Sequence, residues 1–157
     1  MRPGGTPETM SHTYVSDLVH CVFSTKNRRN IILPETQPDL WAFLGGIARK
    51  NKFKALMVGG TENHVHALLS LPSDIPLAKA MQLIKGASSR WMNENHTKGF
   101  AWQEGYGAFT VGISQKAHTI AYIRGQAEHH RKRSFDQEFI AFLKKHEIEY
   151  DPRYVLG

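Results

Sequence analysis

Two histidines separated by a single valine, His64 and His66, open the apolar run HVHALLSL. On a strand, alternate side chains share a face, so both imidazoles point one way and Val65 points the other. Their Cα atoms then stand about 7 Å apart, within reach of one divalent ion. Val65, Ala67, Leu69 and Leu71 form an apolar layer behind them, so a rigid strand presents the pair. Two structural or surface histidines would show the same spacing. A metal would also need further ligands.

The stretch TIAYIRGQAEHH (119–130) offers them. On a helical wheel at about 100° per residue, Ile120, Ile123 and Ala127 form an apolar stripe. Tyr122 falls on the far side, with Gln126 one turn along and His118 one turn back. A phenol on a polar face is either a loosely packed surface tyrosine or a reactive group beside an amide oxygen. Taken with the histidine pair, the set reads as a metal plus a nucleophilic hydroxyl. A phenol attacking a phosphodiester needs its non-bridging oxygens neutralised and its leaving 3′-oxygen stabilised, which Mg2+ or Mn2+ supplies as Lewis acid and template. The covalent phosphotyrosine then stores the bond energy until a second hydroxyl attacks. There is no phosphate-binding glycine loop or dinucleotide fingerprint, so no nucleotide cofactor is implied.

The elements that must position these groups are legible from periodicity. Strands are expected over 14–24, 53–60, 64–71 and 100–112, with Gly105 and Gly107 marking a bend or bulge in the last. Helices are expected over 38–52, from an Asp74 N-cap through IPLAKAMQLIKGASSRWM, from Ser114 to about Arg131, and over 134–146. The order β-α-β-β-α-β followed by two helices fits an α+β, ferredoxin-like antiparallel sheet with helices on one face, plus two C-terminal helices carrying the tyrosine. GISQ (112–115) would set that helix off from the sheet as a hinge.

The chain of 157 residues is read as a flexible leader, 1–9, followed by one domain, 10–157, with Met10 a candidate start. Its formal charge of +6 favours a polyanionic partner, nucleic acid first. The single cysteine, Cys21, excludes an intrachain disulfide and a multi-cysteine zinc site, and points to a reducing cytosol. No apolar run is long enough to span a bilayer.

Five stretches in order, FSTKNRR (23–29), HVH (64–66), IKGASSRW (84–91), WQEGYGAFTVG (102–112) and AYIRGQAEHHRK (121–132), resemble the single-tyrosine HUH transposases of the IS200 type of insertion sequence and their REP-associated relatives. The resemblance runs from about Ser11 to the C-terminus. It implies that Tyr122 is the nucleophile, forming a 5′-phosphotyrosine on single-stranded DNA, with His64, His66 and Gln126 holding the metal. It also implies DNA hairpins at the element ends as substrates, and a homodimer in which the tyrosine helix can complete the partner's site.

For DNA contact, Lys26, Arg28 and Arg29 form a basic turn, and Lys85, Ser89 and Arg90 lie on the small-residue helix. Such side chains hold phosphates without reading sequence. Trp102, Tyr106 and Phe109 could stack bases, with core packing the expected role of at least two. His129 and His130 are read as phosphate contacts or exposed residues. Tyr150 and Tyr154 have the spacing of a two-tyrosine site, but Asp151 and Pro152 between them argue against one continuous helix. Three alternatives remain: a non-enzymatic nucleic-acid-binding module, a metal-dependent hydrolase using activated water, and a domesticated host nickase with the same chemistry. The hydrolase would need acidic ligands that no motif clearly supplies.

Overall fold

A computed structural model describes residues 12–156. The expected leader lies outside the described residues. The elements are β1 (Leu18–Ser24), α1 (Gln37–Lys50), β2 (Lys54–Gly60), β3 (His64–Ser70), α2 (Leu77–Asn95), β4 (Gly107–Val111), α3 (Lys116–Arg124), α4 (Gln126–His129) and α5 (Phe135–Lys145). The strands form one antiparallel sheet in the order β2-β3-β1-β4, the ferredoxin-like arrangement expected.

The central strand β1 is buried along its whole length because it is covered on both faces. Val19, Cys21 and Phe23 join Val65, Ala67 and Leu69 of β3 under α1 and α2, with Leu40, Leu44, Met81 and Ile84 packed onto them. Cys21 is wholly buried there, and burial pushes its thiol up to about 12, so it is an inert core residue. The opposite face carries Leu18, His20, Val22, His64, His66 and Leu68. The C-terminal helices cover it through Ile123 of α3 and Phe135, Phe139 and Leu143 of α5.

Four expectations need correcting. The helix expected from Asp74 starts at Leu77, with Pro76 at the N-cap, because Pro76 has no N–H to donate and fits the first turn's boundary. The strand expected over 100–112 is regular only from Gly107. Before it, one bridge joins Trp102 to Thr25, and Lys85 Nζ donates to the carbonyls of Gln103, Glu104 and Gly105. Ser114 lies in a short 3-10 turn and caps nothing. The helix expected to reach Arg131 breaks at Gly125, which ends α3 by donating its N–H to the Ala121 carbonyl and redirects the chain into α4. The last helix starts where sequence places it, on a Ser134–Gln137 capping box.

The crossing of α3 over β2 depends on Gly59. A Cβ there would stand 2.5 Å from the Ile123 carbonyl oxygen, and Ile123 is one residue from Tyr122. Gly59→Ala is therefore expected to lower stability by about 1–3 kcal/mol, the usual cost of overpacking, measured as a shift in the urea midpoint. A midpoint equal to wild type would mean that α3 is not seated this closely.

Candidate active site and metal centre

The register of the sheet brings the site together. His64 and His66 are fully buried on the face covered by α3–α5, where His66 pairs with Val22 and lies diagonally across from His20. Gln126 follows Gly125, and the break there aims its amide inward until it is 1% exposed. Gln126 Oε1 lies 2.8 Å from His64 Nε2, and Gln126 Nε2–H donates to Glu138 Oε2 at 3.2 Å. That second bond fixes which end of the amide faces the histidine.

Glu138 is the residue that sequence reasoning missed. Its carboxylate is 2% exposed and stands at the centre of the cluster. Oε1 lies 3.0 Å from His66 Nε2, 3.2 Å from His130 Nε2 and 3.8 Å from His64 Nε2. Oε2 accepts from the Tyr122 hydroxyl through a short hydrogen bond. One carboxylate thus links the histidines to the phenol. His130 is drawn into this cluster, which corrects its reading as a phosphate contact or an exposed residue. The expected absence of acidic ligands is corrected too. Both had a signal: His130 continues the i, i+4 series of Tyr122 and Gln126, and Glu138 interrupts the apolar stripe Phe135–Phe139–Leu143 with a charge.

His64, His66, His130 and Glu138 offer ligand atoms that all lie within 4.8 Å of one another. Whether they fit a metal can be judged from the donor set. His64 Nδ1 lies 2.9 Å from Asn63 Oδ1 and 3.0 Å from Thr61 Oγ1; with Nδ1–H donating to Asn63, His64 Nε2 is left bare for a metal. In that tautomer His64 Nε2 and the Gln126 oxygen, 2.8 Å apart, both present lone pairs that one cation could share. Mixed imidazole, amide and carboxylate ligands suit a borderline-to-hard divalent ion. His20 supports the set from behind, with its Nε2 2.7 Å from His66 Nδ1, as a ligand-orienting partner does.

The electrostatics favour the same function. Burial, then the neighbouring His66, lowers His64 to about 3, so its lone pair is available. Burial works against ionisation of Glu138, but hydrogen bonds from His130 and His66 hold its carboxyl well below the usual range. Burial raises the Tyr122 phenol well above its ordinary value, helped by its bond to Glu138 and that group's charge. A cation bound beside the phenol would counter that rise. Tyr122 is half-buried, and its ring stacks on His129 with centroids 4.5 Å apart.

The expected DNA-contacting residues are dispersed. Lys26 and Arg29 are exposed on the turn after β1, whose Thr25 bonds to Asn63 beside His64. Arg28 donates to the Leu156 carbonyl and pairs with Asp136 at 3.4 Å. The three hydrogens of Lys85 are directed at carbonyls, as above. Ser89 and Arg90 lie on α2, across the sheet from Tyr122. Trp102 and Phe109 are core residues, and Tyr106 packs against the core, as expected of at least two of the three.

A family model described as "Transposase IS200 like" matches residues 13–126, well over half of the chain. The chain belongs to this transposase family. It is 27% identical over 114 residues to the ISDra2 transposase TnpA of Deinococcus radiodurans, covering 68% of this chain and 81% of that protein. It is 26% identical over 131 residues to the transposase of insertion sequence IS200 from Salmonella typhimurium, covering 79% and 86%. Its fold superposes with TM-score 0.56 on a REP-associated tyrosine transposase solved bound to a REP hairpin, at 16% identity over 76% of this chain and 72% of that one. Glu138 and α5 lie beyond the family-matched residues. Among the described residues, no helix is long and apolar enough to cross a membrane.

His64 and His20 are both lowered from 6.5 to about 3, each chiefly by burial. Each binds a proton near pH 6.5 when unfolded but not when folded. Their stabilisation is complete above that pH and is lost as pH falls towards 3, by up to about 1.4 kcal/mol per unit for each. Glu138 acts in the same direction below its unfolded value of 4.5. The urea midpoint is therefore expected to be flat from pH 8 to 7 and to fall steadily from 6.5 to 5. A midpoint unchanged across that range would contradict the burial of neutral histidines.

Proposed function

We propose that this transposase is a metal-dependent single-strand DNA transesterase that cleaves and rejoins through a 5′-phosphotyrosine on Tyr122. The observation that carries the reading is the hydrogen bond between the Tyr122 hydroxyl and Glu138, whose other oxygen sits among the histidines. A nucleophile and a metal-ligating set thereby share one carboxylate. When bound, Mg2+ or Mn2+ would neutralise the scissile phosphate and stabilise the leaving oxygen. His64, His66, Gln126 and Glu138 would hold it, with His130 at the edge of the set.

The chain's own residues do the rest. Glu138 orients the phenol and gives its proton an acceptor as the phenolic oxygen bonds to phosphorus. The bond from phosphorus to the 3′-oxygen breaks, and the electron pair leaves with that oxygen. The covalent link keeps the phosphodiester's energy, so a later 3′-hydroxyl can reverse the step onto a new end without an external energy source. His129, Lys132 and Arg133 border Tyr122 on its solvent side and are suited to holding the strand's backbone. Lys26 and Arg29 extend the basic surface beside Asn63. A REP hairpin held by a structural neighbour supports hairpin-bearing single strands as substrates. The family resemblance also implies a homodimer in which the tyrosine helix can complete the partner's site.

Purified protein mixed with labelled single strands spanning both flanks of its own gene, with Mg2+ or Mn2+, should form a covalent adduct on a denaturing gel. Tyr122→Phe should abolish it, and so should a chelator. Tight binding without an adduct would favour the binding module. Cleavage persisting in Tyr122→Phe would favour the hydrolase, for which Glu138 is a suitable acidic ligand.

A further inference from the structure

Tyr122 is a wall shared by two cavities. The outer one, described above, is bordered by His129, Lys132 and Arg133. The other, of about 430 Å3, lies between the β4 edge, the first turns of α3 and the end of α5. We propose that this second cavity seats one base of the single-stranded DNA, next to the scissile phosphate. The inference rests on the transesterase reading and adds a base-binding subsite to it.

The cavity is built for a flat, polar-edged ring. The half-buried rings of Phe142 and His146 lie 5.1 Å and 4.7 Å from the core residue Phe109, which backs them, so their aromatic surfaces line one side. Base stacking on such rings tolerates sequence because every base has a π-face. Between the rings and α3 are polar atoms with no partner among the described residues. Thr119 is 9% exposed, and its hydroxyl has no hydrogen-bond partner among the described residues. His20 is 4% exposed and spends Nε2 on His66, which leaves Nδ1 without a partner among them. His146 spends Nδ1 on the Phe142 carbonyl, and its Nε2 has no hydrogen-bond partner among the described residues. Buried polar atoms left unpaired are costly and rare, and here two of them line one cavity beside the nucleophile.

Charge supports the same occupant. The lining of this cavity contains no carboxylate, and Lys145 stands among it as a cation for the attached phosphate. A strand crossing Tyr122 would lay its backbone along Lys132 and Arg133 of the outer cavity, which also holds Glu128 and Glu138, and turn one base into the aromatic one. The phosphate between them would then lie at the phenol. Fixing that base fixes the phosphate's register on the nucleophile, which is how a positioning contact raises rate.

Single-stranded 20-mers spanning the cut site, each carrying one abasic nucleotide, test this by binding titration against the full chain. Wild type should lose affinity on the order of tenfold at one position within two nucleotides of the cut. Thr119→Val keeps shape and removes only the hydroxyl, and Gln115→Ala alters an exposed residue of the lining, so both should fold. In these variants the intact strand should bind more weakly, and the abasic strand should lose little more. Equal binding at every position by wild type would overturn the subsite while leaving the adduct chemistry intact. So would full abasic sensitivity in both variants, which would mean that ordered water satisfies Thr119 and His20. Failure of any strand to form the adduct would overturn the transesterase reading and the subsite with it.

Discussion

A carboxylate buried among histidines is the interaction on which the rest of the site depends. Taking an ionised Glu138 out of water costs several kcal/mol, and the cost is bearable only if every lone pair finds a partner. Here His66, His130, Gln126 and Tyr122 converge on it from three elements. The same convergence fixes the amide of Gln126, aims the phenol and gathers nitrogen and oxygen donors around one point. Burial of Phe135, Phe139 and Leu143 on the same helix contributes about 1.5–3 kcal/mol each, enough to offset placing a charge on that stripe.

The scaffold makes this geometry repeatable. Because β1 and β3 are adjacent and antiparallel, His20, His64 and His66 occupy neighbouring positions on one face, at the middle of a sheet packed on both sides. The apolar alternation that fills the opposite face with Val65, Ala67 and Leu69 also prevents a register slip, which would send the histidines into that core. Above them, Gly59 lets α3 approach β2 closely, and the break at Gly125 turns Gln126 inward while Tyr122 stays at the border between two cavities. A continuous helix would have carried Gln126 and His130 along one stripe without this inward turn.

Much of this was legible in the sequence. The alternation around HVH gave the strand, its two faces and the shared direction of the imidazoles, and the helical wheel separated Tyr122 and Gln126 from the apolar stripe. The four-strand topology followed from the order of elements. What escaped depends on contacts between elements far apart in the chain. Glu138 is a charge on an otherwise ordinary amphipathic helix, and only folding shows that its stripe faces histidines rather than solvent. His20 reads as one more residue in an apolar strand until its diagonal neighbour is known. The basic residues erred the other way: Lys85 has the charge and spacing of a phosphate contact but spends its hydrogens on the loop at 103–105.

The proposed metal centre is formed by His64, His66, Gln126 and Glu138, beside Tyr122. Anomalous scattering from crystals soaked in Mn2+ would test it most directly. A single strong peak is expected among the Nε2 atoms of His64 and His66, the Gln126 oxygen and the Glu138 carboxylate. A peak on the exposed histidines instead, or none under conditions where the protein forms its DNA adduct, would contradict it.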